Sequence, residues 1–410
     1  MDYIEALEYV HTIPRFVRPL GNEKLGGLLN LLGNPHKKLR YVHVAGTNGK
    51  GSVCAFTAEI LKNSGYKTGL FTSPFIEVFN ERIRINGEMI EDGVLARYIT
   101  EISNVMEEND LGVSEFAFIT AVAFKYFADE GCDIVVLETG MGGRLDATNI
   151  IPAPLCAVLT SVSLDHTQFL GETVEEIANE KCGIIKDGCS VVSAPNDAVR
   201  HNITKAAPNA VICDKCEYDG EWLTYKGKCY NIGRRGGYQA ENASVVLEVA
   251  DILRRKGITI PDKALRDGLL NTHWMARYEF ITPDIVIDGG HNIDGVRALC
   301  ESLKRENRDI TLCLAMMSDK DYEECIKALA SIAKNVIATE VNMPRSAKAH
   351  DIYKICIKNN VNCIEKPDIR EAIEAGMELS RGGLLCICGS LYLAGNSRKI
   401  LRELLPYEES

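Results

Sequence analysis

A short β-rich segment that ends at a cluster of glycines and continues as a helix constrains the fold of this chain more than any other feature. The run YVHVA at Tyr41–Ala45 leads into GTNGKGS at Gly46–Ser52, and an apolar helical pattern then extends over Ser52–Ser64. A buried strand, a glycine loop and a helix in this order leave unpaired backbone N–H groups at the helix N-terminus, where phosphate groups bind. We therefore predict an α/β fold of the P-loop type with a parallel sheet.

The glycine loop departs from the common motif G-x-x-x-x-G-K-[ST], because Gly51 stands between Lys50 and Ser52. Its glycines still allow the backbone to close around phosphate oxygens, and Lys50 can place a positive charge on the β- and γ-phosphates. The alternative interpretation is a glycine-rich turn with an exposed lysine. The strand–loop–helix context favours the phosphate site.

Further patterns extend this first domain into a parallel sheet with crossover helices. Strands are predicted at Ile134–Glu138 and Leu155–Thr160, and a hairpin at Trp222–Ile232. The predicted helices are Leu95–Glu108, Glu115–Asp129, Gln239–Arg255 and Asp262–Leu269.

A second strand–helix alternation begins at Ile285. Five apolar runs, each followed by a helical pattern, predict a smaller doubly wound, Rossmann-like domain: IVIDGG, ITLCLAMM, NVIATEV, NCIEKP and LLCICGS. The apolar periodicity lapses at Asn271–Pro283, where we place the junction. The predicted domains are residues 1–275, with an N-terminal helical segment, and residues 283–410.

The composition excludes several classes of partner. The 410 residues carry a formal net charge of -11, which argues against nucleic acid, since a phosphate backbone needs a broad basic face. The N-terminus lacks a signal-peptide pattern, and no run reaches the ~18 apolar residues of a membrane span. The 15 cysteines are scattered and do not form the dense framework of a small disulfide-rich domain, and the C-x-x-C at Cys213–Cys216 lacks the second pair of a zinc site. We expect a cytoplasmic monomer without membrane attachment.

Several further motifs resemble one known family in their order along nearly the whole chain. They are LFTSPF at Leu70–Phe75, NERIRING at Asn80–Gly87, LETGMGGRLDATN at Leu137–Asn149, TSVSLDHTQFLG at Thr160–Gly171, EKCGIIK at Glu180–Lys186, DGGHN at Asp288–Asn292 and GSLYLAG at Gly389–Gly395. Together with the glycine loop they resemble the folylpolyglutamate and dihydrofolate synthases of the Mur ligase superfamily. Two departures stand out: Tyr238 replaces the usual histidine of H-Q-x-x-N, and Met275-Ala276-Arg277 replaces Pro-Gly-Arg.

The resemblance implies an ATP- and Mg²⁺-dependent ligase that joins L-glutamate to a folate-type carboxylate. The substrate would be a reduced folate, dihydropteroate or both. Its carboxylate would attack the γ-phosphate of ATP, and glutamate would open the resulting acyl phosphate to an amide. Two anions must meet, so cations and positioning should carry most of the catalysis. Residues 1–275 would then bind ATP and residues 283–410 would form the glutamate-ligase domain.

The resemblance also implies the residues of the metal and nucleotide sites. Ser73, Glu138 and His166 match the magnesium positions, although alone they would be a turn residue, a solvated strand-end acid and a hydrogen-bonding loop histidine. The positions that match nucleotide contacts are Gly49, Lys50, Gly51, Ser52, Asn242, Arg277 and Asp288. At the predicted junction, Arg277 would reach the γ-phosphate only on domain closure. The alternative is an exposed linker arginine.

The same resemblance also implies residues that bind glutamate and folate. His291 would orient the incoming glutamate, unless it is a structural loop histidine. The folate would contact the first domain near Gly26–Leu29, at Glu115–Phe116 and at Leu145–Asp146. Apart from the resemblance, Arg82 in NERIRING could attract the anionic tail of the folate. For Arg82, an alternating strand with solvated arginines is the competing explanation. On the same helix as Phe116, the residues Phe118, Phe124 and Phe127 are better explained as core.

Lys181 matches the family position at which a lysine is carbamylated by carbon dioxide. Carbamylation would turn a cation that Mg²⁺ repels into an anion with two hard oxygens. Carbamate formation requires the neutral amine, so burial near other cations would assist it. The sequence alone would instead make Lys181 a surface lysine at a helix end.

Two other functions remain open from the sequence. A Mur enzyme that adds an amino acid to a cell-wall nucleotide precursor shares the loop and the chemistry, but the segment before the loop, residues 1–45, is too short for its uridine-nucleotide domain. A P-loop ATPase or nucleotide switch without ligation would leave DGGHN and GSLYLAG unexplained.

Overall fold

The computed structural model describes residues 1–15, 21–318 and 322–405. It divides into two compact units. The first unit comprises residues 1–217, 222–232 and 241–273, and the second comprises residues 218–221, 233–240 and the chain from Trp274 onward. The predicted end of the second domain at residue 410 lies outside the described residues.

The first unit contains an eight-stranded sheet in the order β4-β3-β2-β5-β1-β6-β7-β8. The strands from β2 to β8 in this order are parallel, and β3 and β4 add an antiparallel edge. Their bounds are β1 Tyr41–Ala45, β2 Thr68–Phe71, β3 Ile83–Ile85, β4 Glu88–Met89, β5 Ile134–Glu138, β6 Cys156–Leu159, β7 Ser190–Ser193 and β8 Val211–Ile212. The three strands predicted in this sheet are therefore confirmed, and they occupy its centre.

Helices cover this sheet and bury its apolar faces. Phe118, Phe124 and Phe127 of one crossover helix are fully buried, which confirms their assignment to the core. The helices are α1 Tyr3–Thr12, α2 Glu23–Leu31, α3 Lys50–Asn63, α4 Asp92–Glu108, α5 Glu115–Asp129, α6 Thr167–Leu170, α7 Val174–Cys182, α8 Arg200–Ala206, α9 Gly237–Arg255 and α10 Asp262–Asn271. Short 3-10 helices span Pro35–Lys38, Phe79–Arg82, Ala147–Ile150 and Asp197–Val199.

The predicted hairpin is present between Trp222 and Asn231. Strands β10 (Trp222–Tyr225) and β11 (Lys228–Asn231) pair in an antiparallel manner, and β9 (Glu217–Tyr218) completes a three-stranded sheet. Lys226 and Gly227 connect the two strands with φ angles of 49° and 72°. Two positive φ angles are typical of the hairpin turn whose twist matches the strands.

The second unit contains a six-stranded sheet in the order β12-β13-β17-β14-β15-β16. Its strands are β12 Glu279–Thr282, β13 Ile285–Asp288, β14 Ile310–Leu314, β15 Asn335–Ala338, β16 Asn362–Glu365 and β17 Leu384–Cys388. Its helices are α11 Ile293–Arg305, α12 Tyr322–Ala330, α13 Ala349–Lys358, α14 Ile369–Leu379 and α15 Leu391–Leu404. The doubly wound prediction is confirmed for the five parallel strands. The sixth strand, β12, is antiparallel and lies within the segment predicted as a junction.

The helices in the described ranges are all too short or too polar to cross a membrane.

Candidate functional site

The glycine loop joins β1 to α3 and requires its glycines because other chain segments approach it closely. A Cβ on Gly46 would lie 1.8 Å from Thr160 Oγ1, and a Cβ on Gly49 would lie 2.3 Å from Asn242 Oδ1. Gly49 also has a φ of 86° as the residue that precedes α3. The first N–H groups of α3 have no partner within their own helix, which leaves them available for an anion.

The segment after β6 anchors this loop, a role that the sequence motifs did not suggest. Thr160 Oγ1 donates to the Asn48 carbonyl at 2.6 Å, and the Thr47 N–H donates to the Ser161 carbonyl at 2.6 Å. Since β1 and β6 are neighbours, their carboxyl ends meet at one edge of the sheet. The hydroxyl-rich run TSVS directly after an apolar strand was the available signal.

Two lysines direct their ammonium groups at one carbonyl of the loop. Lys50 Nζ donates to the Gly46 oxygen at 3.2 Å, and Lys181 Nζ donates to the same oxygen at 2.7 Å. Lys181 is only 3% exposed, so its interpretation as a surface lysine is wrong. Burial, reinforced by the charge of Lys50, lowers the pKa of Lys181 to about 7, although Asp165 and Asp146 oppose this shift.

Glu138 lies at the same edge of the sheet as the loop. It ends β5, where it is in register with Val44 of β1, and it is 4% exposed. One carboxylate oxygen accepts a hydrogen bond from the Ser73 N–H at 3.0 Å. The interpretation of Glu138 as a solvated strand-end acid is therefore wrong. Glu138 and Ser73 together offer hard oxygen atoms of the kind that Mg²⁺ prefers.

His166 is the third residue predicted to bind metal. It precedes α6 in the left-handed conformation with a φ of 51°, and its side chain is 46% exposed. Its backbone N–H donates to Asp165 Oδ1 at 2.8 Å. Within the three described ranges, no three side chains of His, Cys, Asp or Glu lie close enough to hold a metal ion. A magnesium site here would therefore depend on serine and water oxygens as well as Glu138.

Asp146, predicted to contact folate, is buried and holds the loop that follows Glu138. Its Oδ1 accepts hydrogen bonds from Thr148 N at 3.0 Å and Thr148 Oγ1 at 2.5 Å, and its Oδ2 accepts one from Met141 N at 2.9 Å. Buried His43 of β1 contacts the same threonine hydroxyl at 2.8 Å through Nε2. Burial raises the pKa of Asp146, and the hydrogen bonds from Thr148 oppose the shift.

The other three residues predicted to bind folate differ in exposure. Phe116 is half-buried, and its ring centre lies 5.8 Å from that of Phe71. The ring also lies over Gly140, where an added Cβ would come within 2.7 Å of the Phe116 ring. Leu145 is 41% exposed. Arg82 ends the 3-10 helix Phe79–Arg82, and its guanidinium lies 5.2 to 5.3 Å from two phenylalanine ring centres. Its interpretation as a solvated strand arginine is wrong, because the local fold is helical.

In the second unit, Asp288 joins three segments of backbone and side chain. Its Oδ1 accepts from Gly290 N at 2.7 Å, and its Oδ2 accepts from Tyr278 N at 2.9 Å and from Tyr238 Oη at 2.5 Å. Burial raises the pKa of Asp288, and the hydrogen bond from Tyr238 is the strongest of the opposing effects, followed by the charge of Arg277.

Arg277 is part of a hydrogen-bonded turn beside Asp288. The residues on either side of it, Ala276 and Tyr278, have φ angles of 55° and 52°. The Ala276 carbonyl accepts from Gly289 N at 2.8 Å and from the Arg277 guanidinium at 3.1 Å. The interpretation of Arg277 as an exposed linker residue is wrong, because the side chain is half-buried. His291 Nδ1 lies 3.2 Å from the Gly289 carbonyl.

The predicted residues thus form two groups, one in each unit. The first unit combines the glycine loop with Lys50, Lys181, Glu138, Ser73 and Asn242 at the carboxyl edge of a parallel sheet. The second combines Arg277, Asp288 and His291 at the carboxyl edge of another.

Two domain families match the chain and cover both groups of residues apart from Asn242. The Mur ligase middle domain matches residues 44–221, and the Mur ligase glutamate ligase domain matches residues 276–391. The chain is therefore built from the domains of ATP-dependent Mur-type ligases.

Similar proteins identify the family within this class of ligases. The chain is 36% identical to the dihydrofolate synthase/folylpolyglutamate synthase of Bacillus subtilis, over 98% of this chain and 99% of that protein. It is similar to E. coli FolC in complex with DHPP and ADP, with a TM-score of 0.88, 25% identity and 98% of each chain covered. An FPGS–AMPPCP–folate complex gives a TM-score of 0.85 at 32% identity, over 98% of this chain and 100% of the other. The chain belongs to the folylpolyglutamate and dihydrofolate synthase family, and is an ATP-dependent ligase of glutamate to folate-type substrates.

Proposed function

We propose that ligation proceeds through an acyl phosphate formed at the glycine loop of the first unit. A carboxylate oxygen of the pteroate or folate substrate attacks the γ-phosphorus of ATP, and ADP leaves. The neutral amino group of L-glutamate then attacks the acyl carbon, and phosphate leaves with the former carboxylate oxygen. The observation that carries this proposal is the glycine loop at the N-terminus of α3, with buried Glu138 and Lys181 beside it.

The loop residues divide the work of holding the nucleotide. The N–H groups of Gly49, Lys50, Gly51 and Ser52 bind phosphate oxygens, and the Lys50 ammonium offsets charge that develops on the β- and γ-phosphates. Asn242, which packs directly against Gly49, fixes the loop and contacts the nucleotide. Arg277 and Asp288 supply the remaining ATP contacts, and His291 orients glutamate.

Ser73, Glu138 and His166 would hold Mg²⁺. The donor set fits, because a buried carboxylate beside a serine offers hard oxygens at the phosphate edge of the sheet. When bound, the ion would neutralise charge on the transferred phosphoryl group. Glu138 is held ready for this by the Ser73 N–H.

The folate-type substrate would lie against Phe116 and Leu145, with Arg82 attracting its anionic tail and Asp146 shaping the adjacent loop. Because the Bacillus subtilis relative is named for both activities, we propose both dihydropteroate and reduced folates as substrates. We further propose that residues 1–275 and 283–410 act as the ATP-binding and glutamate-ligase domains of a cytoplasmic monomer that binds neither nucleic acid nor membranes.

Transfer of an isotope label tests the acyl phosphate. Dihydropteroate labelled with ¹⁸O in its carboxylate is incubated with the protein, ATP, Mg²⁺ and L-glutamate, and the phosphate released is analysed by mass spectrometry. The mechanism predicts that each amide formed sends one labelled oxygen into inorganic phosphate. Label in AMP would show an acyl adenylate instead, and unlabelled phosphate would contradict direct transfer from the carboxylate.

A further inference from the structure

Tyr238 has no role in the proposed mechanism, but its hydroxyl contacts Asp288, which does. It stands where the resembling family has histidine, and its Oη donates to Asp288 Oδ2 at 2.5 Å. Its ring packs against the apolar core of the second unit. Core packing therefore explains the aromatic ring. It does not explain why the hydroxyl donates to a carboxylate of the candidate site.

Asp288 connects the Tyr238 hydroxyl to the backbone next to Arg277 through hydrogen bonds. The oxygen that accepts from Tyr238 also accepts from the N–H of Tyr278, the residue after Arg277, at 2.9 Å. On the other side, Ala276 N donates to Glu279 Oε2 at 2.8 Å. Carboxylates therefore hold the backbone on both sides of the arginine.

The turn at Arg277 needs such support because its backbone is strained. Ala276 and Tyr278 both have φ near 50°, in the left-handed region that side chains with a Cβ rarely occupy. Strained residues of this kind persist only when surrounding contacts determine their conformation. Those contacts are the hydrogen bonds that Tyr278 N and Ala276 N donate to carboxylates and the one that the Ala276 carbonyl accepts from Gly289 N.

We propose that Tyr238 is a positioning residue that acts through Asp288 to hold Arg277 in the orientation needed for phosphoryl transfer. This inference rests on the proposed function, in which Arg277 and Asp288 contact ATP. Without the phenol, buried Asp288 keeps two donors among the described residues, the backbone N–H groups of Gly290 and Tyr278. A carboxylate that loses a charge-assisted hydrogen bond reorients or binds a proton. Either change weakens the hydrogen bond that the Tyr278 N–H donates to Asp288 and with it the support of the turn.

The test compares turnover and the KM for ATP in Tyr238→Phe, which removes only the hydroxyl, and Tyr238→His, which restores an N–H donor. Loss of one hydrogen bond to a charged group predicts a kcat lower by about 10- to 100-fold in Tyr238→Phe, with a smaller change in KM. Tyr238→His is expected to recover most of the turnover. A double variant Tyr238→Phe/Arg277→Ala should be no slower than Arg277→Ala alone, since both changes remove the same contribution.

Tyr225→Phe is the matched control, because Tyr225 Oη also donates to a buried carboxylate, that of Glu248, at 2.7 Å, outside the proposed site. It should lose stability but keep its kcat. A Tyr238→Phe enzyme with near-wild-type kcat, a folded Tyr238→His enzyme as slow as Tyr238→Phe, or additive losses in the double variant would each overturn the inference.

If Tyr238→Phe does not fold, the test rests on Tyr238→His. A folded Tyr238→His enzyme whose kcat is reduced more than about tenfold overturns the inference, and one with near-wild-type kcat supports it. Absence of amide synthesis in the wild-type protein would instead overturn the proposed function.

Discussion

Lys50 and Lys181 share the Gly46 carbonyl as a hydrogen-bond acceptor, so their side-chain nitrogens lie close together, with Lys181 buried. The burial of Lys181, reinforced by the charge of Lys50, lowers the pKa of Lys181 and favours its neutral amine. A neutral amine is the form that reacts with carbon dioxide, adding it as a carbamate and releasing a proton. The geometry of this single side chain thus supports the carbamylation that the sequence motif suggested.

We predict that Lys181 takes up labelled bicarbonate carbon as a carbamate, detectable by ¹³C NMR. Since its pKa is lowered to about 7, the neutral form predominates above pH 7, and the signal should rise between pH 6 and 8. An unperturbed lysine would need a pH of about 10 to become neutral to the same extent. Lys181→Ala should lose activity and regain part of it with added acetate or formate.

Lys186→Ala is the control for this rescue, because Lys186 also donates to carbonyl groups, including that of Asn149 at 2.7 Å, but does not contact the Gly46 carbonyl. Its activity should not respond to small carboxylates. The assignment would be contradicted if the wild-type protein showed no carbamate signal and the Lys181→Ala variant were fully active.

At the scale of elements, the loop between β1 and α3 depends on how closely α9 approaches it. We predict that Gly49→Ala weakens ATP binding at least about tenfold, since its Cβ would lie 2.3 Å from Asn242 Oδ1. Gly65→Ala is the matched control: its φ of 90° is equally unfavourable, but nothing lies within 4 Å of the added Cβ. Gly65→Ala should lose about 1 kcal/mol of stability from its φ alone and Gly49→Ala at least as much. Calorimetric titration of each variant with an ATP analogue should show the difference in affinity. Equal affinities in the two folded variants would contradict the close packing.

The sequence predicted the elements whose pattern is local. Strands β1, β5 and β6 are short apolar runs because both faces of a central parallel strand are buried. The antiparallel strand β12 was not predicted, because its four residues are only partly buried at a sheet edge and show no apolar run. Helix α3 begins at Lys50, two residues before the predicted start, since Gly51 obscured its first turn.

Burial and long-range contacts at the candidate site could not be predicted in the same way. Glu138 and Lys181 have charged side chains that would ordinarily be exposed, and only the packing of β5 and α7 buries them. Tyr238 and Asp288 are 50 residues apart in sequence, and their hydrogen bond has no local signature. The departure of Tyr238 from the family pattern was the only signal at that position.

At the scale of the whole molecule, we propose that each compact unit supplies residues to the same ligation reaction. The first unit carries the phosphate loop and the proposed metal residues, and the second carries Arg277, Asp288 and His291. A nucleotide switch would need only the first group. The family assignment favours ligation over simple hydrolysis.

The most direct measurement incubates the purified protein with ATP, Mg²⁺, L-glutamate and either dihydropteroate or tetrahydrofolate, and quantifies the amide product and ADP by mass spectrometry. A ligase with this site should form one amide for each ADP released. A folded Lys50→Ala variant should be slower by about 10²-fold or more, because a cation that stabilises the transition state is missing. Release of ADP without any amide, or near-wild-type ligation by Lys50→Ala, would contradict the account.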